Sequence, residues 1–243
     1  MALPKLTVMK HELSLPSTGE KITYRPFLVK EEKILMMAMQ SEDPIDMVKA
    51  LGQIIKNCVE SDIVTSDLPT FDIEYIFLQL RARSVGETIP INYSIKDIMC
   101  EDEQQYCDFF VEINLDDIAI ERDKNHNDLI NINKNIKVKM RYPKIEATTN
   151  IAGIEGEKMV NATFDLIGES IEYIMEGEDI HKPADYTKAE VDDFLNSLSP
   201  EQFKKIQEFF ETMPKLRKKV TAKCKKCGKE NIKVLEGLND FFA

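Results

Sequence analysis

No run of apolar residues in this sequence approaches the roughly 18–20 that a membrane span requires. Met1 to Lys10 also lack the charged-then-apolar order of a signal peptide. Both absences predict a chain made and kept in a cytoplasm, without a membrane partner. Glycine is scarce, at nine residues, and with 31% charged residues this excludes a fibrous repeat and wholesale disorder. Histidine is scarcer still. His11, His126 and His181 stand far apart, none with a Ser, Cys or Glu at the spacing of a nucleophilic pair or a zinc protease. Neither of the phosphate-cradling glycine loops, GxGxxG or GxxxxGKS/T, is present. The many carboxylates fall on predicted helix surfaces and turns, where solvation explains them. The sequence therefore nominates no catalytic residue.

What is present suits a folded domain. A hydrophobic fraction of 43% in 243 residues can fill a core for one large domain or two small ones. The formal net charge of −11 opposes chain-wide affinity for nucleic acid or anionic membrane. One segment runs against that balance. Lys215 to Lys229 holds eight basic residues and no acidic one, so the rest of the chain carries about −19. No aromatic residues interleave there to stack bases, which disfavours nucleic acid. The remaining readings are a docking face for an acidic neighbour, centred on Arg217, Lys218, Lys219, Lys225 and Lys226, and a merely solvated basic loop.

The pattern of residues predicts an α+β fold. A hairpin is expected from His11–Leu15 and Lys21–Phe27 around Pro16-Ser17-Thr18-Gly19. Helices follow over Lys30–Gln40, from an Asp43-Pro44 start, and over Thr70–Ser84. The period then changes, and Thr88–Ile95, Phe109–Ile120 and Ile136–Met140 read as strands of a central, mostly antiparallel sheet. A long helix is expected over Glu155–Met175, with Ile171 and Ile174 on its apolar side, then a polar connector over Glu176–Tyr186. Two capping boxes, Thr187-Lys188-Ala189-Glu190 and Ser199-Pro200-Glu201-Gln202, open the last helices. Pro214 ends the second, and Val220–Cys224 with Asn231–Leu235 make a short cysteine hairpin. The sequence reads as residues 1–120 and 136–243, with the seam over Glu121–Asn135, or as one continuous domain.

Five cysteines, an odd number in an unexported chain, do not suggest a disulfide framework. Cys58 lies on the apolar face of a helix and reads as a small core residue. Cys224-Lys225-Lys226-Cys227-Gly228 has the form of a zinc knuckle, in which a turn converges two thiolates and glycine supplies positive φ. Cys100 and Cys107, at another predicted turn, are the candidates to complete a four-thiolate zinc site. Their spacing is wider than the usual two to four intervening residues, and plain hairpin cysteines are the alternative. Redox chemistry is disfavoured, because the motif sits in a strand–turn–strand context and not at a helix N-terminus.

Two further features have both a structural and an interaction reading. Phe241 and Phe242, near the end of the sequence, either fold back onto the core or insert into a neighbour. Leu35-Met36-Met37-Ala38-Met39 is either core or an adaptable partner surface.

The opening Leu13-Ser14-Leu15-Pro16-Ser17-Thr18-Gly19, continuing through Tyr24-Arg25-Pro26-Phe27, resembles the start of the T4-type phage baseplate hub and hub-assembly proteins. The middle run Val111-Glu112-Ile113-Asn114-Leu115 is similar to the same family. So is the stretch from Phe209-Phe210-Glu211-Thr212-Met213-Pro214 through the CxxCG motif to Phe242. The resemblance implies a non-enzymatic tail protein needed to build the central hub, with hub or tape-measure proteins, or further copies of itself, as partners. It implies expression in the infected host cytoplasm and leaves two roles open, a component of the virion baseplate and a transient assembly chaperone. It transfers no catalytic residue.

Overall fold

The computed structural model describes residues 7–41, 43–100, 106–149, 154 and 156–242. The expected hairpin forms from β1 (His11–Ser14) and β2 (Lys21–Tyr24), in register from His11 opposite Tyr24 to Ser14 opposite Lys21. Helix α1 (Val29–Ser41) follows, then α2 (Pro44–Cys58), where the Asp43 carboxylate accepts from the Ile45 N–H at 2.8 Å and Pro44 fills the first turn. Helix α3 spans Thr70–Ser84, as its periodicity predicts. Leu13 and Ile22 of the hairpin, Ile54 and Ile55 of α2, and Ile73 and Ile76 of α3 make the first core.

Two buried acids anchor this region. Glu31, fully buried, pairs with Arg25 at 3.0 Å and accepts from the Leu28 N–H at 2.9 Å, joining the strand exit to the first turn of α1. Arg25 also donates to the Asn57 carbonyl at 2.9 Å, reaching the end of α2. Asp72, also fully buried, accepts from the Ser17 N–H at 3.0 Å and from the Ser17 hydroxyl, holding the hairpin turn against α3.

Next come β3 (Thr88–Met99), β4 (Tyr106–Asn114) and β5 (Ala119–Glu121), then β6 (Leu129–Asn131), β7 (Ile136–Met140) and α4 (Ile145–Thr149). The chain continues through α5 (Glu157–Glu169), β8 (Ile171–Glu176), β9 (Asp179–His181), α6 (Lys188–Asn196) and α7 (Pro200–Thr212). It closes with β10 (Lys215–Cys224), β11 (Glu230–Glu236) and α8 (Gly237–Phe242). The central sheet is antiparallel in the order β11-β10-β4-β3, with β5 also on β10. Its apolar face meets the far side of α3: Leu78 and Ala82 pack with Ile89, Ile113, Leu216 and Leu235. Because α3 serves two cores, it is apolar on both sides. The ladder from β10 to β4 and β5 draws the last strands back into the sheet of the first half, so strand pairing crosses the expected seam over residues 121–135.

The helix expected over Glu155–Met175 stops at Glu169. Ser170 ends it, its N–H bonded to the carbonyls of Leu166 and Ile167 at 3.0 and 3.1 Å and its hydroxyl to Leu166 at 2.8 Å. Ile171 and Ile174 belong instead to β8, and the polar connector contains β9, turning at Gly177 with φ +61°. These strands complete a second antiparallel sheet, β6-β7-β8-β9, covered by α5, α6 and α7. Both capping boxes form, at Thr187 and at Ser199.

Phe241 folds back onto the central sheet and is 3% exposed, packed in the core with Leu216, Val220 and Leu235. The side chain of Phe242 lies outside the described residues. Beneath α8, the Leu238 N–H reaches Glu74 at 3.3 Å, and burial pushes the Glu74 carboxyl up to about 7. A raised carboxylate pKa means that the folded state binds a proton the unfolded state has released. Stability from this group is therefore present below the ordinary glutamate range and is lost as pH rises through about 7. Glu74→Gln, which keeps the acceptor, is expected to raise stability above pH 7 by ~1–3 kcal/mol and to flatten its slope between about pH 5 and 7. Urea unfolding of both proteins across that range checks it. An unchanged slope would refute the assignment.

Candidate metal centre and docking face

Strands β3 and β4 pair from Thr88 opposite Asn114 to Ile95 opposite Cys107, with an irregularity before Met99 meets Tyr106. Cys100 follows directly. Strands β10 and β11 are joined by the CxxCG turn, in which Gly228 takes φ +73° and its N–H bonds to the Cys224 carbonyl at 3.0 Å. The Cys224 N–H bonds in turn to the Lys229 carbonyl at 2.8 Å. Antiparallel pairing of Cys224 with Phe109 then sets the two hairpin ends side by side.

The four cysteines converge as the sequence predicts. Cys100 Sγ lies 3.4 Å from Cys107 Sγ and 3.6 Å from the sulfurs of both Cys224 and Cys227, and Cys107 lies 3.5 Å from Cys227. All four sulfurs fall within 4.8 Å of one another. Cys100, Cys107 and Cys224 are buried, and Cys227 is half-buried at the rim. Phe109, Ala222, Tyr93 and Ile95 surround them. The thiols are not equivalent. Backbone N–H groups of Cys227 and Lys226 donate to Cys224 and hold its pKa down to about 6, whereas the neighbouring Cys107 thiol and burial raise that of Cys100. Cys58 is remote from the cluster, in the α2 core, and burial pushes its thiol up to about 11.

The basic segment is mostly strand, so its side chains alternate between faces. Leu216, Val220, Ala222 and Cys224 point inward and are buried. Lys218 lies on that side and donates to the Asp117 carbonyl at 3.0 Å. Arg217, Lys219, Thr221 and Lys223 share the outer face, opposite Glu236, Val234, Ile232 and Glu230 respectively. Glu236 neutralises Arg217, with a 3.0 Å bond to its Nε, and Lys223 meets Glu230 at 2.9 Å. Lys225 sits over the Phe110 ring at 3.8 Å. Lys226 lies in the knuckle turn. Between the two ion pairs remain Lys219 and two exposed apolar side chains, Ile232 (57%) and Val234 (46%). Sequence reasoning missed these last two, although their alternation with Asn231, Lys233 and Leu235 was the available signal.

The histidines stay apart. His126 bridges Thr212 at 2.9 Å and Tyr142 at 3.1 Å, and burial lowers its pKa. His11 lies against Tyr24, and His181 stands 3.9 Å from Glu176. Among the described residues no helix is long and apolar enough to cross a membrane.

The four cysteines thus converge at the joined ends of two hairpins, beside a basic and apolar outer face. Comparison with known families gives the class: the profile described as T4 bacteriophage base plate protein matches residues 8–243. The chain belongs to that family. No curated protein and no solved structure matches it.

Proposed function

We propose that the chain helps to build the central hub of a contractile-tail baseplate by contact with other baseplate proteins, and turns over no substrate. Membership of the baseplate family supports the setting, the infected cytoplasm first and the tail baseplate after it. The observation that carries the contact mechanism is the outer face of β10 and β11. Ile232 and Val234 stand exposed there, across from Thr221 and Lys219 and between two ion pairs. Apolar side chains rimmed by charge suit an interface whose centre desolvates while its edge sets register. The fitting partner is a hub protein with an apolar patch edged by acidic residues. Ile232→Glu with Val234→Glu is expected to weaken that binding about 10–100-fold while thermal unfolding stays unchanged. Pull-down and complementation of phage yield read it; full binding and full yield from a folded variant would sink this face.

A second reading has its own observation. In α1, Leu35 is half-buried and Ala38 buried, but Met36, Met37 and Met39 are 57%, 63% and 55% exposed. A flexible Met-rich surface adapts to irregular apolar partners. It suits a transient chaperone for a hub or tape-measure protein, absent from the finished virion. Mass spectrometry of purified particles separates the roles: fixed stoichiometry supports the component, absence supports the chaperone.

A further inference from the structure

We infer that Cys100, Cys107, Cys224 and Cys227 bind one zinc ion through four thiolates, and that this ion locks the β3–β4 and β10–β11 hairpins together.

Geometry comes first. A tetrahedral ion with zinc–sulfur bonds of about 2.3 Å spaces its sulfurs about 3.8 Å apart. Four of the sulfur pairs here lie at 3.4–3.6 Å, and none exceeds 4.8 Å. A four-iron cluster binds each thiolate to a different iron and spreads the sulfurs further, so the arrangement fits a single ion. The donor set is uniformly soft, which selects zinc over the hard cations, and four protein ligands close the coordination sphere. A closed sphere leaves no position for water, so the site is structural.

The surroundings agree. A dication held by four thiolates is a dianion, and Lys225, Lys226 and Lys229 lie in or next to the turn that carries Cys224 and Cys227. The backbone N–H groups of Lys226 and Cys227 directed at Cys224 are the donors a bound thiolate accepts from.

The fold also has a use for such a bond. Among the described residues the ladder between the hairpins has two pairs beside the cysteines, Lys223 with Phe110 and Cys224 with Phe109, and the Tyr93 hydroxyl donates to Asn231 at 3.0 Å. Apart from Phe109, the buried side chains of this cluster are small, the cysteines and Ala222. An ion bonded to both hairpins fixes that junction.

The test uses the full chain purified without chelator. Plasma mass spectrometry is expected to find about one zinc per chain, and Cys58→Ser is expected to keep it. Cys224→Ser with Cys227→Ser is expected to lose the zinc. Should that variant fail to fold, the wild-type protein still decides. Zinc released by a mercurial should appear stoichiometrically with a chromogenic chelator, and cobalt exchange should give the visible bands of a tetrahedral thiolate site. Less than about half an equivalent of zinc with no cobalt bands would overturn the inference, as would an equivalent of iron in its place. Zinc retained by the folded double variant, or lost with Cys58→Ser, would overturn the choice of ligands.

Discussion

Replacing Arg25 with methionine is expected to cost about 3–5 kcal/mol of folding free energy, because it strands a buried carboxylate. Glu31 has no solvent access, and Arg25 is 15% exposed. Burial alone would push the Glu31 carboxyl up, but Arg25, the Leu28 N–H and Lys30 outweigh it and hold the group below the ordinary glutamate range. For a depressed carboxylate the contribution is present above the unfolded pKa and is lost as pH falls through the folded one. Wild-type stability should therefore decline as acid reaches Glu31. In Arg25→Met the sense reverses, since a buried carboxylate left with only the exposed Lys30 and the Leu28 N–H gains by protonation, and the deficit is largest at neutral pH. Arg25→Met with Glu31→Leu should recover much of the loss by removing both charges. Denaturant unfolding of the three variants across pH measures this. A single-variant loss under ~1 kcal/mol would refute a buried-pair role.

Phe209→Ala is expected to cost about 3–5 kcal/mol through a different cause, a cavity. Phe209 is 2% exposed, lies 5.1 Å from the His126 ring and 5.7 Å from Tyr142, and touches Phe210 edge to face. Its loss removes the shared wall of that aromatic group, which cannot close the gap because His126 is held at both ring nitrogens. Phe203→Ala, at a half-buried ring stacked on Phe164, should cost less. Thermal unfolding of both variants orders them, and equal losses would show that Phe209 is not the centre of this core.

The local signals of the sequence are legible where one element serves one purpose. Asp43-Pro44, the two capping boxes and the Thr70–Ser84 periodicity each name a helix that is present. Ile171 and Ile174 mislead, because their spacing from Ile167 continues a helical period and the nearby breaker, Gly168, lies within the helix and not at its end. The direction of the basic side chains is also hidden. Strand β10 sends Lys218 and Arg217 to opposite faces, a fact of pairing and not of composition. The convergence of Cys100 with Cys224 depends on contacts more than a hundred residues apart, so the motif could nominate ligands but only the sheet could assemble them.

The return of β10 to β4 and β5 sets the order in which this molecule can be finished on the ribosome. Until residues 215–236 have emerged, β3 and β4 form a two-stranded ribbon with an open edge, marginal by itself and prone to pair with other chains. Nascent chains stalled before that point should be substrates for holdase chaperones and should aggregate when those are depleted.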